Sequence, residues 1–238
     1  MKIRYVTLTG ADDKTNASEM KVLSNAYPYV EWAILFSQNK TKAPRYPSYD
    51  WVERNLPQLM GCQLSAHLCG RWVDDAMKGE LTFMDIDDGV FFSFFDRIQL
   101  NLSGERLNKF LNGETKLWNC DLPEIQIILG GPYQKCEATF PTHAYLSHGA
   151  VPLFDCSGGR GILTKNWPKV IEGEGGVPLL CGYAGGLGPE NLEEQLKKIE
   201  EVVGDNEIWI DMENNIRTNN VFDLKKCEKV LKIAENWV

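Results

Sequence analysis

The chain has 238 residues, 43% of them hydrophobic, and its 33 acidic side chains outnumber 25 basic ones to give a formal net charge of −8. That acidity, without a cluster of lysines or arginines, excludes a nucleic-acid or anionic-membrane surface and leaves small molecules or proteins as partners. No run of about 18 apolar residues occurs and the amino terminus MKIRYVTLTG lacks a signal-peptide core, so a soluble, cytoplasmic protein with its seven cysteines as free thiols is expected.

The elements follow in order. Ile3 to Thr9 alternates and carries β-branched residues, as a strand does, and Gly10 ends it. Asn16 or Thr15 caps a helix with Met20, Val22 and Leu23 on its apolar face, which Pro28 stops. Glu31 to Phe36 is a second buried run, followed by a polar loop from Ser37 to Pro47. Ser48 caps a helix through Trp51, Val52 and Leu56, split at Pro57. Gln63 to Cys69 is a third strand, and Arg71 to Lys78 a short helix. Leu81 to Phe95 fits a helix or an extended aromatic run, and Gly89 weakens both.

Arg97 to Leu102 is a fourth strand, before a helix begun by Ser103 and Glu105. Glu124 to Leu129 is a fifth, ending in Gly130-Gly131-Pro132, and Tyr133 to Gly149 has no clean period. Val151 to Cys156, Pro178 to Gly182 and Glu207 to Asp211 complete the strands. Between the last two, Glu190, Glu193 and Glu194 stand near a helix start and Lys197 and Lys198 farther along, as the helix dipole favours. A final helix from Leu224 to Trp237 places Cys227, Val230, Leu231 and Ala234 on one face.

Eight strand-then-helix units, one connection irregular, with no linker between them and no G-x-G-x-x-G after the first strand, predict an α/β protein, a single (β/α)₈ TIM barrel in one domain over residues 1–238. In such a barrel the site is built where the strands end, at Thr9, Phe36, Cys69, Asn101, Gly130, Asp155, Gly185 and Asp211.

Three of these strand ends carry distinctive stretches. LFDCSGGRG spans Leu153 to Gly161, YAGGLGPENL spans Tyr183 to Leu192, and KAPRYPS spans Lys42 to Ser48. Together, in this order, they resemble phosphoribosylanthranilate isomerase, a barrel enzyme of tryptophan biosynthesis, and IQLN at Ile98 to Asn101 is a weaker fourth match. The resemblance implies acid–base chemistry, an Amadori rearrangement of the intramolecular oxidoreductase type, without cofactor. It implies Asp155 as general acid, Arg45 against substrate, and Gly185 and Gly186 around a phosphate, with Asn101 and Asp211 as further substrate contacts at their strand ends. Asn214 and Asn215 stand at the same phosphate turn, Asn215 in place of the family's glycine, and Arg160 replaces the family's threonine or serine, where it either binds a substrate carboxylate or phosphate or points to solvent. Backbone N–H groups at a glycine turn entering a helix suit an anion. The implied partner is therefore a small, phosphorylated anionic metabolite, with the protein a monomer or homodimer.

The chain departs from that pattern at the base. Thr9 stands where the family has cysteine, and a threonine hydroxyl is far too weak an acid to supply an anion at neutral pH. Asp12, Asp13, His67, Cys69 and Asp211 are the rim candidates to replace it. Glu213 brings a carboxylate to the phosphate turn, with Arg217 near enough in sequence to offset it. Asp155 has no obvious local partner. No metal is expected, since Cys62, His67 and Cys69 have irregular spacing and Asp85, Asp87 and Asp88 form an incomplete calcium loop. A second reading stays open: a barrel without catalysis that binds a ligand or a protein, for which Phe91, Phe92, Phe94 and Phe95 would supply an apolar patch.

Overall fold

The computed structural model describes residues 1–80, 93–102, 104–116, 126–131, 150–155, 157 and 159–238. Eight parallel strands, β1 (Lys2–Thr9), β2 (Val30–Phe36), β3 (Gln63–Leu68), β4 (Arg97–Asn101), β5 (Gln126–Gly131), β6 (Val151–Asp155), β7 (Cys181–Ala184) and β8 (Glu207–Met212), pair in sequence order, and β8 pairs back on β1 to close the ring. The helices are α1 (Ala17–Ala26), α2 (Tyr49–Asn55), α3 (Arg71–Lys78), α4 (Glu105–Leu111), α5 (Leu192–Val203) and α6 (Leu224–Ala234). Among the described residues the connection from β6 to β7 carries no α-helix, only a 3₁₀ turn at Glu174–Gly176. The connection from β5 to β6, Asp85, Asp87, Asp88, Phe91 and Phe92 lie outside the described residues.

Local chemistry explains the boundaries. Asn16 caps α1 by accepting from the N–H groups of Ser18 and Glu19, Ser48 caps α2 from Trp51 N–H, and Asp223 caps α6, each satisfying donors that a helix start leaves open. Pro57 turns the end of α2 into a 3₁₀ segment, Leu56–Leu59. β7 begins later than the expected Pro178, because Pro178 bridges antiparallel to Glu172 and Leu179 donates to Ile171 O, which spends that stretch on a local hairpin. Phe95 is buried and Phe94 packs on the core, so these two do not form the exposed patch expected of an interaction surface.

Alternate strand residues face opposite ways. Trp32, Ile34, Leu64, Ala66, Ile98, Leu100, Ile208 and Ile210 join one apolar core with Met20, Val52, Val73, Leu196 and Val230 of the helices. The residues between them, Glu31, Ser65, His67, Arg97, Gln99 and Trp209, therefore turn toward the barrel axis, and all are buried. The interior is thus divided: Val151, Leu153, Ala184 and Trp209 form a small apolar cluster, and the β1–β4 side is polar. Gly182 makes room for this arrangement, because the Trp209 indole fills the space a side chain there would need.

The polar half is built on a buried ion pair. Arg97 Nε and Nη2 donate to the two oxygens of Glu31 at 2.6 and 2.7 Å, and Thr7 Oγ1 donates to Glu31 at 2.8 Å. Tyr5 and Trp209 each lie under the guanidinium, with ring centroids 4.7 and 4.6 Å away. Fork geometry and two aromatic faces are what an arginine needs to be held in a dry interior.

Candidate functional site

The strand ends carry two groups of polar side chains. On the β6–β8 side, Asp211 lies half-buried near the end of β8, and closure of the ring sets that strand beside β1 with Thr7 opposite Asp211. Thr9 Oγ1 donates a 2.6 Å hydrogen bond to Asp211 Oδ1. Burial raises the Asp211 carboxyl from 3.8 to about 7; the Thr9 hydrogen bond pulls it down, and the charges of Glu213, Asp155 and Glu31 push it up. A carboxyl that titrates near neutrality is equipped both to give and to take a proton.

Asp155, the expected general acid, lies close by at the end of β6 but is not short of partners. Its Oδ1 accepts from Ser157 N–H at 2.9 Å and Ser157 Oγ at 2.8 Å, and its Oδ2 accepts from Gly159 N–H at 2.6 Å. These contacts fold the glycine turn around the carboxylate and correct the expectation that it stands alone. Arg160, expected against substrate, is exposed and donates through Nε to Ser157 O.

The β7 turn has the backbone the sequence anticipates, with φ of +108° at Gly185 and +72° at Gly186, in the left-handed region that glycine tolerates. Its surroundings differ. The Leu163 backbone packs where a Gly186 side chain would go, and Gly186 O accepts from Asn191 Nδ2 at 2.9 Å and Asn215 Nδ2 at 2.7 Å. Asn215 therefore holds the turn from outside. Asn214 Nδ2 donates to Gly159 O at 3.3 Å, which ties the β8 loop to the β6 loop. Between these loops lies a cleft of about 50 Å³ lined by Asp155, Asp211, Glu213, Asn214, Gly185 and Gly186 among others.

Arg45 reaches this region from the β2 loop and pairs with Glu213 at 2.7 Å. Its backbone sits at φ +82°, unusual for a residue with a side chain, so the loop is bent to deliver it. Burial raises the Glu213 carboxyl, and Arg45 opposes that rise. The expected partner of Glu213, Arg217, is committed elsewhere: it donates to Gly10 O at 2.5 Å, Asp12 Oδ2 at 2.6 Å and Asn220 O at 2.8 Å. Asp12 also accepts from Phe222 N–H at 3.1 Å and Lys14 N–H at 3.1 Å. It is the buried tie between the β1 and β8 loops and is not turned over Thr9 as a replacement base. Asp13 caps the start of α2 through Ser48 N–H.

On the β2–β4 side, Asn101 Nδ2 donates to Cys69 Sγ at 3.2 Å and its Oδ1 accepts from Gln99. Burial raises the Cys69 thiol, which is the wrong direction for a thiolate base. His67 is buried in the interior, away from the rim, and burial first and then Arg97 lower it to about 3, which makes it a weak base. The described cysteines, Cys62, Cys69, Cys181 and Cys227, are free, and among the described residues no group of three or more metal-ligating side chains occurs. No helix among the described residues is long and apolar enough to cross a membrane.

The strand ends thus bring Thr9, Asp155, Asp211, Gly185, Gly186 and Asn214 to one place, whereas Asn101 belongs to the other group and Arg160 faces solvent. Sequence reasoning named Thr9 and Asp211 separately and missed that they meet. Ring closure was the available signal, since it makes the last strand a neighbour of the first.

No protein-family model and no curated protein sequence matches the chain. Solved structures do. The chain is similar to phosphoribosylanthranilate isomerase from Thermus thermophilus, with a TM-score of 0.57 at 14% identity over 99% of both chains. It is similar to a monomeric form of the dimeric Thermotoga maritima enzyme at 0.54 and 14%, over 97% of this chain and 98% of that one, and to the Pyrococcus furiosus enzyme at 0.52 and 14%, over 98% of each. The phosphoribosylanthranilate isomerase fold therefore extends along the whole chain.

Proposed function

We propose that this protein is a divergent (β/α)₈ isomerase that moves a proton on a small sugar-like metabolite, with Asp211 as the proton-carrying group and Thr9 orienting it. The observation that carries the reading is Asp211 itself: half-buried at a barrel strand end, raised to about 7, and held by one oxygen. Thr9 donates to Oδ1, so Oδ2 is the oxygen left to exchange a proton with a ligand in the cleft. A single carboxyl near neutrality can serve in turn as base and acid, which answers the loss of the cysteine without requiring Thr9 to ionise. Asp155 shapes the turn beside it, and the fold and the motif order support the isomerase class.

The test is a panel of aldoses, ketoses and aminoaldoses incubated with the protein in deuterated water, read as deuterium appearing beside the carbonyl carbon. Exchange on at least one member, reduced about 10²- to 10⁴-fold by Asp211→Asn, is expected for a lost general acid–base. Exchange that Asp211→Asn leaves intact, or none on any member, contradicts the proposal. The non-catalytic reading predicts the latter, with ligand binding retained.

A further inference from the structure

We propose that the β6–β8 cleft admits a protonated amino group and rejects phosphate, so that the ligand of this site is an amine-bearing sugar derivative. This inference rests on the preceding assignment of the cleft as the active site. It comes from an account of donors and acceptors, since buried polar groups are nearly all paired and those left over indicate what a ligand must bring.

The donors around the cleft are largely spent on the protein. Ser157 N–H, Ser157 Oγ and Gly159 N–H go to Asp155, and Gly161 N–H goes to Ser157 Oγ. Asn214 Nδ2 goes to Gly159 O and Asn215 Nδ2 to Gly186 O. Acceptors remain. Asp211 and Glu213 each have one oxygen tied to the protein, by Thr9 and Arg45 respectively, and Asn214 Oδ1 is buried with no hydrogen-bond partner among the described residues. Among the described residues no lysine or arginine lines the cleft, and three carboxyl side chains do.

An anion at the β7 turn would have only backbone N–H groups to hold it. Asp155 Oδ1 comes within 3.5 Å of the position a Gly185 side chain would take, so its charge faces that turn directly. Of the arginines around the site, Arg45 is matched by Glu213 and Arg217 by Asp12, and Arg160 is turned to solvent with its Nε on Ser157 O. An ammonium brings three donors and a positive charge to a place that offers acceptors and negative charge. The cleft of about 50 Å³ has room for such a head and leaves the rest of a sugar outside, toward the rim.

The experiment is an NMR titration of the full chain at neutral pH, following backbone amides of residues 184–187 and 212–214. The probes are D-glucosamine, its neutral analogue D-glucose, and inorganic phosphate. Saturable shifts with glucosamine are expected, with glucose weaker by about tenfold, as the loss of one charged hydrogen bond requires. Phosphate is expected to give none at the same concentration. Glu213→Gln, which removes a carboxylate and frees Arg45, weakens glucosamine and gains phosphate binding; Asn214→Ala weakens glucosamine without touching the ion pair. Phosphate saturating these amides in the unaltered protein, or no glucosamine binding at millimolar concentration, overturns the inference. Either result leaves the proton-transfer reading to its own test, because deuterium exchange and its dependence on Asp211 are read separately.

Discussion

Asp211 and Asp155 are both strand-end carboxylates, and their environments give them different work. Asp155 is saturated by donors from its own turn, so replacing it disturbs loop geometry as well as charge. Asp211 has one hydroxyl donor, is half-buried, and feels the charges of Glu213, Asp155 and Glu31, which together favour its protonated form. Because its value in the folded chain lies at about 7, above the ordinary 3.8, the native state keeps a proton that the unfolded chain releases. The resulting stabilisation is complete below about pH 4 and is lost as pH rises through 7, so above that the ionised group burdens the fold. Asp211→Asn is therefore expected to be more stable than the unaltered protein at about pH 8, by up to about 4 kcal/mol and with a higher unfolding temperature, and to match it near pH 4. Equal melting at both pH values would contradict the assignment. A variant that gains stability while losing turnover is the trade expected of a functional residue.

At the scale of elements, β2 and β4 are joined across the barrel interior by Glu31 and Arg97, two strands apart in the ring. Removing one partner strands the other charge in a dry interior and costs about 3 to 5 kcal/mol, whereas removing both costs much less. Urea unfolding of Glu31→Leu, Arg97→Met and the double variant should show this non-additivity; additive losses would mean the pair is not coupled. The strands themselves were legible, as apolar runs ended by Gly, Pro or Asp, and so were the caps at Asn16 and Ser48. The ion pair was not, because each charge sits at the beginning of an apolar run and looks like a strand edge until the register places it inside. β7 was misplaced because Leu179 and Leu180 look like core, while Pro178 in fact serves a hairpin with Glu172. The Thr9–Asp211 contact was legible in principle, since any ring of eight consecutive strands joins its ends; the Arg45–Glu213 pair was not, because a bent loop delivers it.

For the whole molecule, the fold is shared at 14% identity with three phosphoribosylanthranilate isomerases, and in this chain the β7 turn has positive-φ glycines with carboxyl groups around it. Backbone geometry outlasts side-chain chemistry, and function must be argued from the site. Here the site has a half-buried carboxyl poised near neutrality, three carboxyl side chains around one cleft, and two arginines, Arg45 and Arg217, already neutralised by the protein. The account as a whole depends on Asp211 being a titrating group at working pH. The most direct measurement is the pH titration of its side-chain carboxyl carbon by NMR in the full chain, with Asp211→Asn identifying the signal. A midpoint near 7 is the predicted result; a midpoint near that of an ordinary exposed aspartate, about 4, would contradict it.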